Sequence, residues 1–250
     1  MSVAPAVELD YFVGFDVGKV RDPAAFSVLQ RRREVLAAPF NPARPAAAEP
    51  RYSYAVRYLE RAKLGTPYPD LIDRAVQICM RLSGLSVDYE QRAAAAAAGR
   101  VKRPDGSVRT RVAELVVDIT GVGRPVHDLL RSREELARAR VRVVGVNYTG
   151  GAAARATSDD CVWNVPKRDI VAGLVVMLQS GELAIAAGIP DAPVLVGELV
   201  NFQEKVSAAG NASYGNDGVQ AEHDDYVNAT GLAAWRARIR CVGPQSRRLL

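Results

Sequence analysis

Cysteine and long apolar runs are scarce in this 250-residue chain, and each scarcity removes a class of function. The three cysteines, Cys79, Cys161 and Cys241, lie far apart and form no CxxC pair. Neither a structural zinc site nor a disulfide framework is expected, and a reducing setting fits best. No apolar run approaches the roughly 18 residues that a membrane span needs. The opening MSVAPAVELDYFVGFDVG carries Glu8 and Asp10 where a signal peptide would have a basic stretch and then an apolar one. A soluble, cytoplasmic protein without a membrane partner is therefore expected. The phosphate-loop pattern G-x-x-x-x-G-K-[ST] is missing too, since GFDVGKV has the wrong glycine spacing and a valine after its lysine.

What is present suits a packed globular protein. Hydrophobic residues make up 48% of the chain, and Lys plus Arg exceed Asp plus Glu by 33 to 28. That balance permits an anionic partner without requiring one. YFVGFDVG (11–18) reads as a buried strand, AAFSVLQRR (24–32) as its antiparallel partner and YSYAVRYLERA (52–62) as a third strand. Apolar pairs at 71/72, 75/76 and 79/80 mark an amphipathic helix. AELVVDITGVG (113–123) is a continuous apolar strand ending in an aspartate, followed by a helix carrying Val126, Leu129, Leu130 and Leu136 on one face. VRVVGVNYTGG (141–151) is a further strand, and Pro166 opens a helix with Ile170, Leu174 and Leu178 in register, ending at Gly181. A helix is expected over 193–206, with Leu195, Leu199, Phe202 and Val206 aligned, then a polar loop (207–220). Residues 86–111, with six consecutive alanines and a basic, turn-rich end, read as a surface excursion. The order predicts a mixed central sheet with helices on both faces.

The last helix opens with EHDDYVNATGLAAW, in which Asp224 and Asp225 are adjacent. One aspartate suffices to cap a helix start. Asp16 and Asp118 each close a strand before a glycine-containing turn, and sites in α/β sheets form beyond the carboxyl ends of strands. If those strands are parallel neighbours, both carboxylates enter one crevice, and Asp224 and Asp225 would join them. Such a cluster needs cations, and oxygen ligands with two histidines in the whole chain favour two Mg²⁺ or Mn²⁺ ions over zinc. Two such ions suit in-line displacement at a phosphodiester. Asp16 would bridge, Asp118 and Asp225 would flank, and Asp224 or His223 would position water or substrate. Asp22 would join through a water, and Lys167 would meet a phosphate oxygen.

GFDVGKVRDPAA, ELVVDITGVGRPVHDLL, VPKRDIVAGL, GELVNF and HDDYVNATGLAAW, in that order, resemble the nuclease domain of phage terminase large subunits. The resemblance runs over about residues 11–236 and implies an RNase H-like fold, a single nuclease domain over 1–250 with a core at about 11–240. It further implies a metal-dependent endonuclease that cuts concatemeric double-stranded DNA during packaging, in a phage or prophage setting within a bacterial cell. By that resemblance the metal ligands fall on Asp16, Asp118 and Asp225, with Asp224 and Asp22 as accessories. The family's partners are an ATPase motor, a small terminase and a portal. No motor domain is expected within these residues, so the chain reads as an excised domain, a split gene product or a remnant.

Other readings remain open at this stage. The strand-Asp-x-Gly pattern, with VVDITGVG as a second phosphate loop, also occurs in actin-like and sugar-kinase ATPases. A packaging or DNA-binding module that cuts only with a motor partner is another alternative. Taken singly, Asp22 before Pro23 is a turn former, Lys167 a surface lysine, His223 a solvent-exposed side chain and the pair Asp159 and Asp160 solvated.

Overall fold

The computed structural model describes residues 6–18, 22–35, 50–83, 109–157, 160–206, 212–216 and 224–240. His223, Asp159, Cys241 and all of the 86–111 excursion except its last three residues lie outside them. Three antiparallel strands come first, β1 (Ala6–Asp16), β2 (Ala25–Val35) and β3 (Arg51–Arg61), followed by helix α1 (Tyr68–Leu82). Then come β4 (Arg109–Asp118), helices α2 (Gly123–Arg131) and α3 (Glu134–Arg138), and β5 (Arg142–Thr149). β6 (Arg155–Ala156), β7 (Val162–Pro166), α4 (Lys167–Gln179), β8 (Leu183–Ile185) and α5 (Ala192–Asn201) follow. A hairpin, β9 (Phe202–Val206) and β10 (Ala212–Asn216), precedes the last helix, α6 (Asp225–Ile239).

Among the described residues, eight strands form one sheet in the order β6-β7-β5-β4-β1-β2-β3-β8. β1, β4, β5 and β7 run parallel to one another, so their carboxyl ends share one edge. Alternation along β1 sorts its side chains to two faces. Val13 and Phe15 pack with Leu71, Ile72 and Cys79 of α1 and with Val126 and Leu130 of α2. Phe12 faces the other way, with Leu174 of α4, Leu195 of α5 and Ala229 and Ala233 of α6. The mixed sheet is thus covered on both faces, as the element order predicts. Among the described residues no helix is long and apolar enough to cross a membrane.

Twelve of the fifteen residues of α6 are buried, which is why its small residues show no single apolar stripe. Those small residues let it lie almost on the sheet. A methyl group at Gly14 would stand 1.9 Å from the Ala229 carbonyl oxygen. The far end of α6 is held by Arg236, whose fully buried guanidinium pairs with equally buried Glu114 of β4 and stands 5.2 Å from the Trp163 ring centre. Arg240 reaches the same carboxylate at 3.1 Å.

Several local expectations are corrected. The helix expected over 193–206 stops at Asn201, because Phe202 is extended (φ −72°, ψ 119°) and opens the β9–β10 hairpin, which also takes residues 212–216 from the expected loop. A four-residue apolar spacing is also two strand periods, so Phe202 and Val206 fit either structure. The single helix expected through Val126 and Leu136 is broken at Ser132 and Arg133 into α2 and α3, leaving Leu129 54% exposed. Asp160 is not solvated: it adopts φ 55° and pairs with Arg142 at 2.9 Å and with Arg236 at 3.7 Å. The short strands β6, β7 and β8 carry too few residues for a readable period.

Gly14→Ala tests the close contact. The overpacking is expected to cost about 2–3 kcal/mol, read as a lower urea midpoint at unchanged slope. A variant as stable as the parent contradicts the contact.

Candidate functional site

The sheet register brings two acids together. β1 and β4 pair as Tyr11 with Val112, then as Phe12 with Glu114, so one extra residue, Ala113, sits in a bulge of β4. Without it the register would put Val117 beside Asp16, and Asp118 would face the opposite side. With it Phe15 pairs with Val117, and the next residues, Asp16 and Asp118, end their strands side by side on the α6 face. Neighbouring strands lie about 5 Å apart.

The start of α6 reaches the same edge. Asp224 occupies the N-cap position but makes no side-chain cap hydrogen bond. Glu198 of α5 does that work instead, its Oε2 accepting the Val227 backbone N–H at 3.0 Å. Capping therefore does not explain the second aspartate. Glu198 also pairs with Arg61 at the end of β3, and Arg61 Nε lies 3.4 Å from Asp225 Oδ2, its guanidinium 4.4 Å from the Tyr226 ring centre. Tyr226 in turn donates its hydroxyl to Asp191.

Electrostatics bind these groups into one site. Burial first, and then the charges of Asp118, Asp225 and Asp224, push the Asp16 carboxyl well above the usual carboxylate range, against a hydrogen bond from Asn228. Burial raises Asp225 to about 7, with Glu198, Asp224 and Asp22 adding to it and Arg61 opposing. Glu198 likewise rises to about 7 through burial, opposed by the Val227 N–H and Arg61. Asp118 is half-buried, and its Oδ1 accepts the Thr120 N–H at 2.7 Å. Asp22 is exposed, lining a small cavity with Gly18, Lys63 and Thr66. Lys167, at the first turn of α4, places its ammonium 3.7 Å from Asp224 Oδ2.

The charges of Asp118, Asp224 and Asp225 are thus all felt at Asp16, with Lys167 at one side and Asp22 at the rim. Among the described residues, no group of three or more His, Cys, Asp or Glu side chains is arranged to hold a metal ion. The donor set is nonetheless carboxylate oxygen alone, and the neighbouring charges that raise Asp16 and Asp225 are what a hard divalent cation relieves. Glu198, Arg61, Asn228 and Tyr148 were not singled out by sequence reasoning. Asn228 lies three residues after Asp225 and so on its helix face, a signal present in the sequence; the other three meet the site only through tertiary packing.

Asp225 has an ordinary value of 3.8 and a folded value of about 7, so the folded state holds more protons between them. Its contribution to stability therefore falls as pH rises through that window. In EDTA, Asp225→Asn is expected to raise the melting temperature most at about pH 8, with the gain fading by about pH 5; each kcal/mol appears as roughly 2–4 °C in calorimetry. A gain no larger at the higher pH contradicts the buried, charge-opposed carboxylate.

A family model described as the terminase RNase H-like domain matches residues 85–236, more than half of the chain. Among curated proteins, none matches. Among solved structures, the large terminase nuclease from thermophilic phage G20c with bound magnesium is 22% identical, covers 90% of this chain and 80% of that chain, and gives a TM-score of 0.47. The same nuclease with bound cobalt gives the same four values, 22%, 90%, 80% and 0.47. The Thermus phage P74-26 large terminase nuclease domain is 23% identical over 90% of this chain and 78% of that chain, with a TM-score of 0.41.

Proposed function

The chain belongs to the terminase RNase H-like domain family, and on that premise we propose that it is a divalent-metal-dependent endonuclease of double-stranded DNA. The observation that carries this reading is the convergence of Asp16, Asp118, Asp224 and Asp225 at one sheet edge, where burial and neighbouring carboxylates raise Asp16 and Asp225. Asp16, on β1 within the sheet, would be the central ligand for Mg²⁺ or Mn²⁺, two ions in this reading, and Asp118 and Asp225 would complete the set. Asp224 and Asp22 act as accessories. Divalent ions bound there supply polarisation of the phosphodiester and an activated water for in-line displacement.

The chain's own residues set the geometry. The Thr120 N–H fixes one oxygen of Asp118, and the Asn228 amide steadies Asp16. Arg61 and Glu198 tie the first turn of α6, and with it Asp225, to β3 and α5. Charge-assisted contacts of this kind orient a ligand without occupying its site. The biological substrate is concatemeric DNA during packaging, with a motor ATPase, a small terminase and a portal as partners in the bacterial cytoplasm. The described residues act as one RNase H-like domain. The actin-like ATPase reading gains nothing from the geometry: Gly123 of the VVDITGVG turn starts α2 within 1.9 Å, by the position of an added methyl, of the Asp118 carbonyl oxygen, a packing role.

Purified protein is expected to nick and linearise supercoiled plasmid with Mn²⁺ or Mg²⁺ and not with EDTA. Asp16→Ala and Asp225→Asn should each slow cutting by more than about a hundredfold, beyond the typical loss for a residue that only supports a ligand. DNA binding by folded protein without cutting under either metal would replace this reading by a packaging module dependent on its motor. Cutting that survives both substitutions would place the site elsewhere.

A further inference from the structure

The parallel strands that present Asp16 and Asp118 continue across the sheet, and the next residues in that row change in character. Asp118 pairs with Val146 of β5, so Tyr148, two residues on, projects from the same face one step further toward the carboxyl edge. Thr149 of β5 pairs with Pro166 of β7, and Lys167 follows directly. From β1 to β7 the edge therefore reads carboxylate, carboxylate, phenol, ammonium.

Tyr148 is tied into this row and left incomplete. Its backbone N–H donates to Thr120 Oγ1 at 2.9 Å, and the Thr120 N–H donates to Asp118 Oδ1 at 2.7 Å, so its place is coupled to that of the carboxylate. The Lys167 ammonium stands 5.7 Å from its ring centre and 5.9 Å from that of Phe202. The Tyr148 hydroxyl is buried and has no hydrogen-bond partner among the described residues. A phenol is protonated at neutral pH, and so a donor. An unsatisfied buried hydroxyl is costly, and a ligand oxygen brought against this edge would relieve that cost. An anionic substrate that approaches several carboxylates needs hydrogen-bond donors, and Tyr148 and Lys167 supply them on the β5–β7 side.

We propose that the Tyr148 hydroxyl, beside the Lys167 ammonium, donates a hydrogen bond to a non-bridging phosphate oxygen of the bound DNA strand, forming a phosphate subsite next to the carboxylates. This rests on the nuclease reading for the identity of the ligand. Tyr148→Phe removes the oxygen alone and keeps the ring under Lys167. The test measures anisotropy of a short fluorescein-labelled duplex in Ca²⁺, with the duplex checked for cutting on a gel, over a series of salt concentrations. It is paired with Mn²⁺ titration and thermal melting without DNA.

Tyr148→Phe is expected to weaken duplex binding roughly tenfold at every salt concentration, with the salt slope, Mn²⁺ affinity and melting temperature held or the last raised. Lys167→Gln should instead reduce the salt slope by about one phosphate contact. Parental duplex affinity in Tyr148→Phe overturns the proposal. So does a matching loss of Mn²⁺ affinity without DNA, which would make the hydroxyl a support for a carboxylate. Because the readout is binding, a parent that binds duplex but never cuts it removes the nuclease reading and leaves the phosphate contact standing. A parent that does not bind duplex overturns both.

Discussion

Helix α6 comes so close to β1 that glycine is required at position 14, where an added methyl would lie 1.9 Å from the Ala229 carbonyl oxygen. The site depends on this contact. The helix supplies Asp224, Asp225 and Asn228, and the strand supplies Asp16, so a shift of the helix would separate them. Its position is fixed at both ends, by Glu198 and Arg61 at the first turn and by the buried Glu114–Arg236 pair at the last. Breaking one partner of a buried pair leaves an uncompensated charge, which makes such contacts sensitive determinants of position.

Packing in this way forces like charges together at the start of the helix. Asp16 and Asp225 are both raised by burial first and by their neighbours second. Arg61 offsets part of that charge on the β3 side, and Lys167 stands by Asp224 on the β7 side. The remaining excess of negative charge is what a divalent cation would balance, and carboxylate oxygens are suited to Mg²⁺ or Mn²⁺. The edge of the sheet thus passes from a carboxylate end at β1 and β4 to a donor-bearing end at β5 and β7.

Much of this arrangement was legible in the sequence. The apolar runs of β1 and β4, each ending in an aspartate before a glycine-containing turn, mark two strand ends, and the structure supplies the parallel pairing that sets Asp16 and Asp118 side by side. The paired aspartates before a small-residue helix raise a question that capping does not answer, since a glutamate from another helix accepts the Val227 N–H. The Ala113 bulge was not legible, although the shared face of the two acids depends on it, because no residue type demands a bulge there. Glu198, Arg61 and Tyr148 acquire their roles from side chains far away in sequence. The hairpin at Phe202 leaves no mark in the spacing, because helix and strand share a four-residue step.

The most direct test of the account is the anomalous difference map of a crystal of this protein grown or soaked with Mn²⁺. The account predicts density bounded by Asp16, Asp118 and Asp225, with those carboxylates turned inward to ligate it at about 2.0–2.2 Å, the short metal–oxygen range of hard octahedral ions. Ordered carboxylates with no Mn²⁺ between them at millimolar-range saturation, or manganese bound only elsewhere on the molecule, would contradict it.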